Sequence, residues 1–257
     1  MKRHLQLLPA GRSSEPALQA EQVDLQFDMA GQPVRVLQHI DFSIAPGELI
    51  CLLGPSGCGK TTLLNIVAGF LAPSRGTLRV YGQPVVKPGP DRCVVFQEDA
   101  LFPWLTVAEN IAFGLKRRRS RAVRAEVARH LELVGLSAFG NYLPGEISGG
   151  MKQRVALARV LILKPQVLLM DEPFGALDAQ TREEMQHLLL DLWREFSPTI
   201  LFVTHDISEA LVLADRILVM ARHPGRIAEQ AVVALPHPRK KESEAFHRFY
   251  GRLRALL

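Results

Sequence analysis

The sequence predicts an α/β protein with a parallel-sheet core, an antiparallel β subdomain ahead of it and a helical subdomain inserted within it. Three observations lead to this fold class. An apolar run, a glycine-rich loop and a helical pattern follow one another early in the chain. Two stretches before the loop alternate apolar and polar residues, as half-buried antiparallel strands do. Beyond Pro165, strand-like apolar runs alternate with helical patterns, which predicts parallel strands with helices on both faces.

The antiparallel subdomain is predicted from alternation on either side of the turn signal AGQP. The alternating apolar positions are Val23, Leu25 and Phe27 before the turn, and Ile40, Phe42 and Ile44 after it. A further strand is predicted at 78–81. Residues 1–16 are rich in Pro, Gly, Ser and Arg, which predicts a disordered N-terminal extension.

The glycine-rich loop GPSGCGKTT matches the phosphate-loop pattern G-x-x-x-x-G-K-[ST]. It stands between the apolar run ELICLL and the helical run KTTLLNIVAG, so its amides and the helix N-terminus can face a phosphate. Lys60 is expected to reach the outer phosphates and Thr61 to bind magnesium, whereas Cys58 is interpreted as a small side chain rather than a redox thiol. The predicted nucleotide-binding residues of the loop are Gly54, Pro55, Ser56, Gly57, Cys58, Gly59, Lys60, Thr61 and Thr62.

A helical region is predicted from Thr106, which forms a capping box with Glu109, to about residue 163. It contains the densest basic run of the chain, KRRRSRAVR at 116–124. Apolar residues recur there at helical spacing, at Val123, Val127, Leu131 and Val134. The arginines off that stripe are Arg121, Arg124 and Arg129. Because no aromatic residues interleave with the basic ones, a solvated helix face is favoured over a nucleic-acid site.

The apolar run QVLLMDEP ends in two adjacent carboxylates, Asp171 and Glu172. Adjacent strand residues point to opposite sides, so the two acids are expected to have different partners. Asp171 is suited to hold magnesium and Glu172 to orient or deprotonate an attacking water. Combined with the phosphate loop, they supply what hydrolysis of a nucleoside triphosphate requires.

The rest of the chain predicts further strands and helices in alternation. These are a helix at 179–196, a strand at 199–203, a helix at 207–214 and a strand at 216–220. A last amphipathic helix is marked by Phe246, Phe249, Tyr250 and Leu253, and it is expected to pack on the domain rather than on lipid.

Composition limits the class of protein. The 257 residues suffice for one large α/β domain, and 47% of them are hydrophobic. A formal net charge of +5 permits acidic partners. No apolar run approaches the length of a membrane span, and residues 1–14 have too short an apolar core for a signal peptide. The three cysteines lack metal or disulfide spacing, which fits a reducing cytoplasm. The chain is expected to be soluble or peripheral to a membrane.

These motifs, in their order, resemble those of the ATP-binding subunit of ATP-binding-cassette (ABC) transporters, over about residues 17–232. Besides the phosphate loop and the DEP run, the resemblance rests on VVFQED, ISGGMKQR, GALDAQ and FVTHD. It implies a phosphate-loop NTPase fold, ATP and Mg²⁺ as cofactors, and a head-to-tail dimer of ATPase subunits.

The resemblance also implies roles for particular residues. Gln97 would link the magnesium site to the neighbouring subdomain, and His205 would contact the γ-phosphate. Both would take part in catalysis, with Glu172 as the base. Metal-binding residues would be Thr61, Gln97 and Asp171. Ser148, Gly149 and Gly150 would form a second glycine loop that covers the ATP of the partner subunit. Asp178 would belong to the loop that crosses the dimer interface. Physically, Ser148 caps a helix whose positive end suits a γ-phosphate.

Three positions depart from the family pattern. Ile147 replaces the usual leucine and Met151 a common glutamine, while the serine and glycines that would meet phosphate are kept. Phe27 stands where many members stack a tyrosine on adenine, and a phenyl ring can still stack. A core position for Phe27 is an open alternative, given its alternation with Val23 and Leu25.

Phe102, Pro103 and Trp104 are expected in an exposed loop that serves as a docking surface, with Trp104 in a small helical-subdomain core as the alternative. The resemblance implies that this surface receives a membrane-spanning permease subunit. The finer resemblance, through FQEDALFPW, DEPFGALDAQTREEMQHLLLDLW and HPGRI, is to the taurine, sulfonate and nitrate importer subfamily. Taurine is the first solute expected, with nitrate or another alkanesulfonate as alternatives. The implied partners are a second copy as a homodimer, permease subunits and, indirectly, a periplasmic solute-binding protein, at the cytoplasmic face of the cell membrane and without nucleic acid.

Two other classes remain open from the residues. A soluble cassette ATPase would need a coiled-coil insertion or second cassette, for which the chain has no room. A nucleotide kinase would need an acceptor site and a lid. The predicted division of the chain is an extension at 1–16, the ATPase domain at 17–235 with its helical subdomain at about 100–163, and a linker with an amphipathic helix at 236–257.

Overall fold

The computed structural model describes residues 15–29, 31–97, 100–118 and 120–257. The strands in those ranges are β1 (Leu18–Met29), β2 (Gln32–Ile44), β3 (Leu49–Leu53), β4 (Arg75–Val80), β5 (Gln83–Pro84), β6 (Arg92–Val95), β7 (Val167–Asp171), β8 (Thr199–Thr204), β9 (Arg216–Ala221) and β10 (Arg226–Val232). The helices are α1 (Lys60–Ala68), α2 (Val107–Ile111), α3 (Arg121–Leu133), α4 (Gly149–Leu161), α5 (Ala179–Phe196), α6 (Ile207–Leu213) and α7 (Glu244–Arg254). Most of the predicted N-terminal extension, residues 1–14, lies outside the described residues, as do Glu98, Asp99 and Arg119 of the quoted runs.

The central sheet has the order β10-β9-β3-β8-β7-β6. Strands β9, β3, β8, β7 and β6 run parallel, and β10 pairs antiparallel with β9 at one edge. Every residue of β3 and β8 is buried, because helices cover both faces of a parallel sheet. The predicted parallel core is confirmed. The predicted helix at 179–196 is confirmed at both ends by α5.

The second sheet, of order β2-β1-β4-β5, is antiparallel, as predicted. Val23 and Leu25 are buried, but Phe27 is 39% exposed. The open alternative that Phe27 lies in the core is therefore wrong. Strand β4 pairs with β1 only as far as Asp24, so the end of the β1–β2 hairpin, where Phe27 pairs with Val34, extends beyond β4.

Some strands were not predicted from the sequence. Strand β4 begins three residues before the predicted 78–81 segment, and β5, β6 and β10 had no clear pattern. β6 has only four residues, and β10 alternates between exposed and half-buried residues at the sheet edge, so neither forms the continuous apolar run of a central strand.

Three clusters of apolar side chains form the core. Helices α5, α6 and α7 cover one face of the central sheet, and α1 lies on the other face between the two sheets. Helices α2, α3 and α4 surround a third cluster, as the helical region predicts. The capping box is confirmed, since the Glu109 amide donates to Thr106 Oγ1 at 3.2 Å and the Thr106 amide donates to Glu109 Oε2 at 2.9 Å.

In three segments, the exposure and burial of side chains agree with the predictions from the sequence. In α3, Val127 and Leu131 are buried while the predicted arginines are exposed, which confirms the solvated face. In α7, Phe246 and Leu253 are buried in the core cluster of α6, so this helix packs on the domain. Trp104 is 72% exposed, and the alternative that it fills the helical-subdomain core is wrong. Of the described helices, none is both long and apolar enough to cross a membrane.

Candidate functional site

The phosphate loop joins the end of β3 to the start of α1 and forms one wall of an open cleft of ≈ 320 Å³. Gly57 has a φ of 80° and Gly59 a φ of 98°, both in the left-handed region that favours glycine. A Cβ on Gly59 would also lie 2.7 Å from Leu37 Cδ2. The loop can therefore turn its amides toward the cleft only with glycines here. The lining residues are Val36, Ser56, Gly57, Gly59, Lys60, Thr61, Thr62, Gln97, Asp171 and Glu172.

Lys60 is held in the middle of the loop. Its Nζ donates to the carbonyls of Gly54 at 2.8 Å and Pro55 at 3.3 Å, and it lies 3.4 Å from Glu172 Oε1. The side chain is only 5% exposed. A buried ammonium with these partners supplies a fixed positive charge at the floor of the cleft, which suits a phosphate.

Cys58 packs under the loop. A Cβ placed on Gly54 would lie 2.7 Å from Cys58 Sγ, and the Cys58 side chain is buried. Burial raises the pKa of this thiol, so it stays protonated at neutral pH, as a small packing residue would. Among the described residues, the predicted loop members Gly54, Pro55 and Cys58 do not line the cleft, although two of them hold Lys60.

Thr61 and Asp171 meet at the side of the cleft, where the Thr61 hydroxyl donates to Asp171 Oδ1 at 3.2 Å. Burial raises the pKa of the Asp171 carboxyl, the neighbouring Glu172 raises it further, and the hydrogen bond from Thr61 opposes both effects. Gln97 lines the same cleft. A hydroxyl, a carboxylate and an amide oxygen are the hard oxygen donors that Mg²⁺ prefers. The donor set fits a magnesium ion that completes its shell with phosphate oxygens and water.

Glu172 has other partners than Asp171, as expected, but it follows the end of β7 and lines the same cleft. Its carboxylate lies between Lys60 and His205, with Oε2 2.8 Å from His205 Nδ1. The backbone of Glu172 has a φ of 44°, which is strained for a non-glycine residue, and its amide donates to Val203 O at 3.0 Å. The bond to β8 holds this strained residue where its carboxylate faces the cleft.

The second glycine loop begins α4 with Ser148 as its cap, because Ser148 Oγ accepts from the Met151 amide at 3.3 Å. A Cβ on Gly150 would lie 2.5 Å from Thr181 Cγ2. Thr181 in turn donates through its hydroxyl and its amide to Asp178, at 2.7 and 3.0 Å. The two segments predicted to act across a dimer interface therefore adjoin in one chain.

Several predicted residues lie away from the phosphate-loop cleft. Among the described residues that line it, none is Phe27, Ser148, Gly149, Gly150 or Asp178. Phe27 pairs across the hairpin with Val34, two residues before Val36, which does line the cleft. Phe27 is thus on the hairpin that reaches the cleft, whereas the second glycine loop does not line it.

A buried polar network behind His205 was not found from the sequence. Glu209 accepts from Gln186 Nε2 at 3.2 Å and from Thr204 Oγ1 at 2.6 Å, and burial raises the pKa of its carboxyl. Thr204 ends β8 immediately before His205. One signal was available: Glu209 is a charged residue within the apolar run ISEALVLA.

A second residue that the sequence did not single out is Gln153 in α4. Its buried amide donates to the backbone carbonyls of Gln97 at 3.2 Å and Pro173 at 2.9 Å. The stretch it touches also receives Arg182, whose guanidinium donates to the carbonyls of Phe174 and Leu177. Such contacts arise only in the folded chain.

Comparisons with known proteins agree with this geometry. The model of the ABC transporter family matches residues 37–175. A nitrate import ATP-binding protein of Synechococcus elongatus is 46% identical over 90% of this chain and 88% of its own length. A taurine import ATP-binding protein of Pelagibacter ubique is 52% identical over 78% of this chain and 76% of its own length. The dimeric structure of an ATP-binding cassette in a post-hydrolysis state, bound to ADP and Pi, covers 84% of this chain and 98% of that one, with a TM-score of 0.73 and 30% identity.

Proposed function

The chain belongs to the ABC transporter family as an ATP-binding, ATP-hydrolysing subunit, and from this premise we propose that it energises a bacterial importer of a small anion or sulfonate. Taurine is the first candidate solute, and nitrate or another alkanesulfonate the alternative. The observation that carries the hydrolytic role is the Glu172 carboxylate, held between Lys60 and His205 at the mouth of the phosphate loop.

In the proposed site, the loop amides and Lys60 bind the β- and γ-phosphates. Glu172 orients the attacking water and takes its proton, because its carboxylate faces the cleft where the γ-phosphate would lie. His205 holds that carboxylate and contacts the γ-phosphate. Gln97, which lines the same cleft, also senses the γ-phosphate, and Phe27 stacks on the adenine at the hairpin end.

Magnesium would be held by Thr61, Asp171 and Gln97, whose oxygens line one side of the cleft. When bound, it neutralises charge on the phosphate oxygens. Asp171 must be ionised for this role, and the hydrogen bond from Thr61 favours its charged form.

The ATPase is proposed to act as a homodimer. Helix α4 has 13 residues and begins at Gly149 and Gly150, with Ser148 as its cap. Its positive end does not line this chain's own cleft, and neither does Asp178. Placed over the cleft of a second copy, that end would meet the γ-phosphate. ATP would then complete two shared sites at the interface, and hydrolysis would release them.

The partner that uses this motion is proposed to be a permease in the cell membrane, docked on the exposed loop around Trp104 at its cytoplasmic face. The ring centroids of Phe102, in this loop, and Phe113 lie 4.1 Å apart, and the ring centroid of Trp104 lies 5.7 Å from that of Phe102. A supported but exposed indole is suited to fill a pocket of a partner protein. A periplasmic solute-binding protein would act indirectly through the permease, and no nucleic acid is involved.

The hydrolytic role and the dimer are tested together with Glu172→Gln. This variant is expected to lose turnover by a factor of about 100 or more, since a general base contributes on that order. It should keep ATP binding and move from monomer to dimer in size-exclusion chromatography with ATP and Mg²⁺. Lys60→Ala is the control that should lose nucleotide binding and stay monomeric. Ordinary turnover by Glu172→Gln would contradict the assignment of the base.

The solute is tested by uptake in host cells whose copy of this chain is intact or carries Glu172→Gln. Labelled taurine, other sulfonates and nitrate are compared in parallel. The expected result is taurine uptake that the variant abolishes. If only nitrate or another sulfonate depends on Glu172, the solute changes and the importer role stands. If none of them does, the proposed small-anion importer is wrong.

A further inference from the structure

Gln153 joins the helix of the second glycine loop to both segments that carry the proposed metal site. It lies on α4, five residues beyond Ser148, and its side chain is 5% exposed. Each hydrogen of its amide nitrogen has an acceptor, at 3.2 Å in Gln97 O and at 2.9 Å in Pro173 O. A single side chain therefore bridges three segments that are far apart in sequence.

The two accepting carbonyls stand next to functional side chains. One belongs to Gln97 itself, and the other to Pro173, which immediately follows Asp171 and Glu172. The same two segments also approach each other at Gly175, where a Cβ would lie 3.7 Å from Gln97 Nε2 and 3.4 Å from Glu172 O. Small shifts of either backbone would therefore move the groups that face the cleft.

We propose that Gln153 is a positioning residue that sets the Gln97 and Asp171 oxygens at a spacing suited to Mg²⁺. This inference rests on the proposed metal role of Gln97 and Asp171. Gln153 does not touch the cleft but holds the backbones of both ligand segments, as partners behind the ligands of a metal site do. Because Gln153 is on α4, it also ties the position of the Ser148 end to the metal site of the same chain.

Two backbone carbonyls face the Gln153 position, so the side chain there must be neutral and donate two hydrogen bonds. A glutamate in place of Gln153 would set carboxylate acceptors against two carbonyl acceptors, so Gln153→Glu is expected to be more disruptive than loss of the bonds alone. Gln153→Met keeps length and volume but donates nothing. Gln153→Asn keeps the amide but is one methylene shorter.

The test is binding of a fluorescent ATP analogue to the purified chain, titrated with Mg²⁺. In Gln153→Met, the Mg²⁺ concentration for half-maximal enhancement of binding is expected to rise about tenfold, as for other residues that support metal ligands. Binding of the analogue in EDTA should stay within about twofold of wild type, because the loop and Lys60 are untouched. If Gln153→Met does not fold, Gln153→Asn is measured with the same expectation.

Gln186→Met is the matched control. Gln186 is also a buried glutamine, 4% exposed, but its amide donates to Glu209 and not to the ligand segments. It should lower stability without moving the Mg²⁺ requirement. An unchanged requirement in Gln153→Met, or an equal shift in Gln186→Met, would overturn the inference.

A second measurement separates this inference from the proposed metal role. Gln97→Ala alone should raise the Mg²⁺ requirement, and adding Gln153→Met to it should produce much less than a further tenfold rise. If Gln97→Ala changes nothing, its metal role is wrong. In that case the positioning role is still tested by amide hydrogen exchange of the segments 92–97 and 172–175. Faster exchange in Gln153→Met but not in Gln186→Met supports the positioning role, and unchanged exchange in Gln153→Met refutes it.

Discussion

Glu172 Oε2 lies 2.8 Å from Nδ1 of His205, and this contact joins the end of β7 to the loop that follows β8. The opposite oxygen of the same carboxylate lies 3.4 Å from Lys60 Nζ. The Glu172 carboxylate, the proposed base, is thus held from both sides, by one group in the phosphate loop and one beyond the neighbouring strand. Loss of Lys60 or His205 should therefore change the position of the carboxylate more than it changes the stability of the fold.

The contact between Glu172 and His205 predicts strong coupling in hydrolysis. His205→Ala should lower turnover by roughly 100-fold or more, yet add little to the loss already present in Glu172→Gln, since residues that act as a unit are not additive. Turnover of the wild type, both single variants and the double variant measures the coupling. Because the His205 side chain is 56% exposed, unfolding free energy should change by less than about 0.5 kcal/mol. Multiplicative losses of turnover would show that the two residues act separately.

The raised pKa of Asp171 predicts a pH dependence of the metal-assisted step. The protonated carboxyl cannot serve as a metal ligand, so Mg²⁺-dependent nucleotide binding should fail as pH drops through that raised pKa. Burial is its main cause and the charge of Glu172 adds to it. Glu172→Gln removes that charge, so the acid limb of the binding curve should move to lower pH.

Glu172→Asp serves as the control for this pH profile, because it keeps the negative charge. Its acid limb should stay nearer to that of wild type than the limb of Glu172→Gln. A shift of Glu172→Gln toward higher pH would contradict the attribution.

Phe27 is predicted to contribute stacking to adenine. Phe27→Ala should weaken ATP binding about tenfold, since base–aromatic stacking is worth roughly 1–3 kcal/mol, and Phe27→Tyr should bind as wild type. Tripolyphosphate, which has no base, should bind all three proteins equally. Isothermal titration measures each affinity, and Val34→Ala, at the exposed cross-strand neighbour, is the control. Equal ATP affinity in Phe27→Ala would remove this residue from the site.

Trp104 is predicted to act only in docking. Trp104→Ala should leave the melting temperature and the ATP turnover of the isolated chain unchanged, because the indole is 72% exposed and far from the phosphate loop in sequence. Co-purification with the permease should fall at least tenfold, since exposed aromatic anchors commonly cost about 2 kcal/mol or more on truncation. Val232→Ala, another exposed apolar residue, should retain co-purification. Retained co-purification by Trp104→Ala would place the dock elsewhere.

Much of the fold follows from local pattern. The phosphate loop needs its glycines wherever it occurs, and α5 begins at its Asp178 cap and ends where its apolar stripe ends, so both ends were predicted. Strands β6 and β10 were not predicted, because edge strands bury one face or little of either. Phe27 continues the alternation of Val23 and Leu25. The pattern could not show that β4 stops pairing with β1 before Phe27, which leaves the Phe27 side chain exposed.

The residues of the candidate site also divide into those that were predicted from the sequence and those that were not. The residues predicted for the site were found because each sits in a motif with an assigned role. Gln153 lies in the quoted run ISGGMKQR and Glu209 in the helical run ISEALVLA, but both were missed because neither run shows that the side chain is buried or which groups it bonds. Both partners of Gln153 are backbone carbonyls at least 20 residues away, and Glu209 binds Gln186, 23 residues away, as well as the nearby Thr204.

The sequence by itself determined the chemistry available to this protein: a phosphate loop, one carboxylate suited to hold magnesium, a second suited to act as a base, and a second glycine loop that begins a helix. These depend on residue type and short-range spacing. The tertiary structure decided which groups meet. Parallel pairing places β8 between β3 and β7, so their carboxyl ends share one edge, and Lys60, Glu172 and His205 come together there although more than 100 residues separate the first two. That pairing depends on burial and hydrogen bonding across the whole sheet, which no local stretch contains.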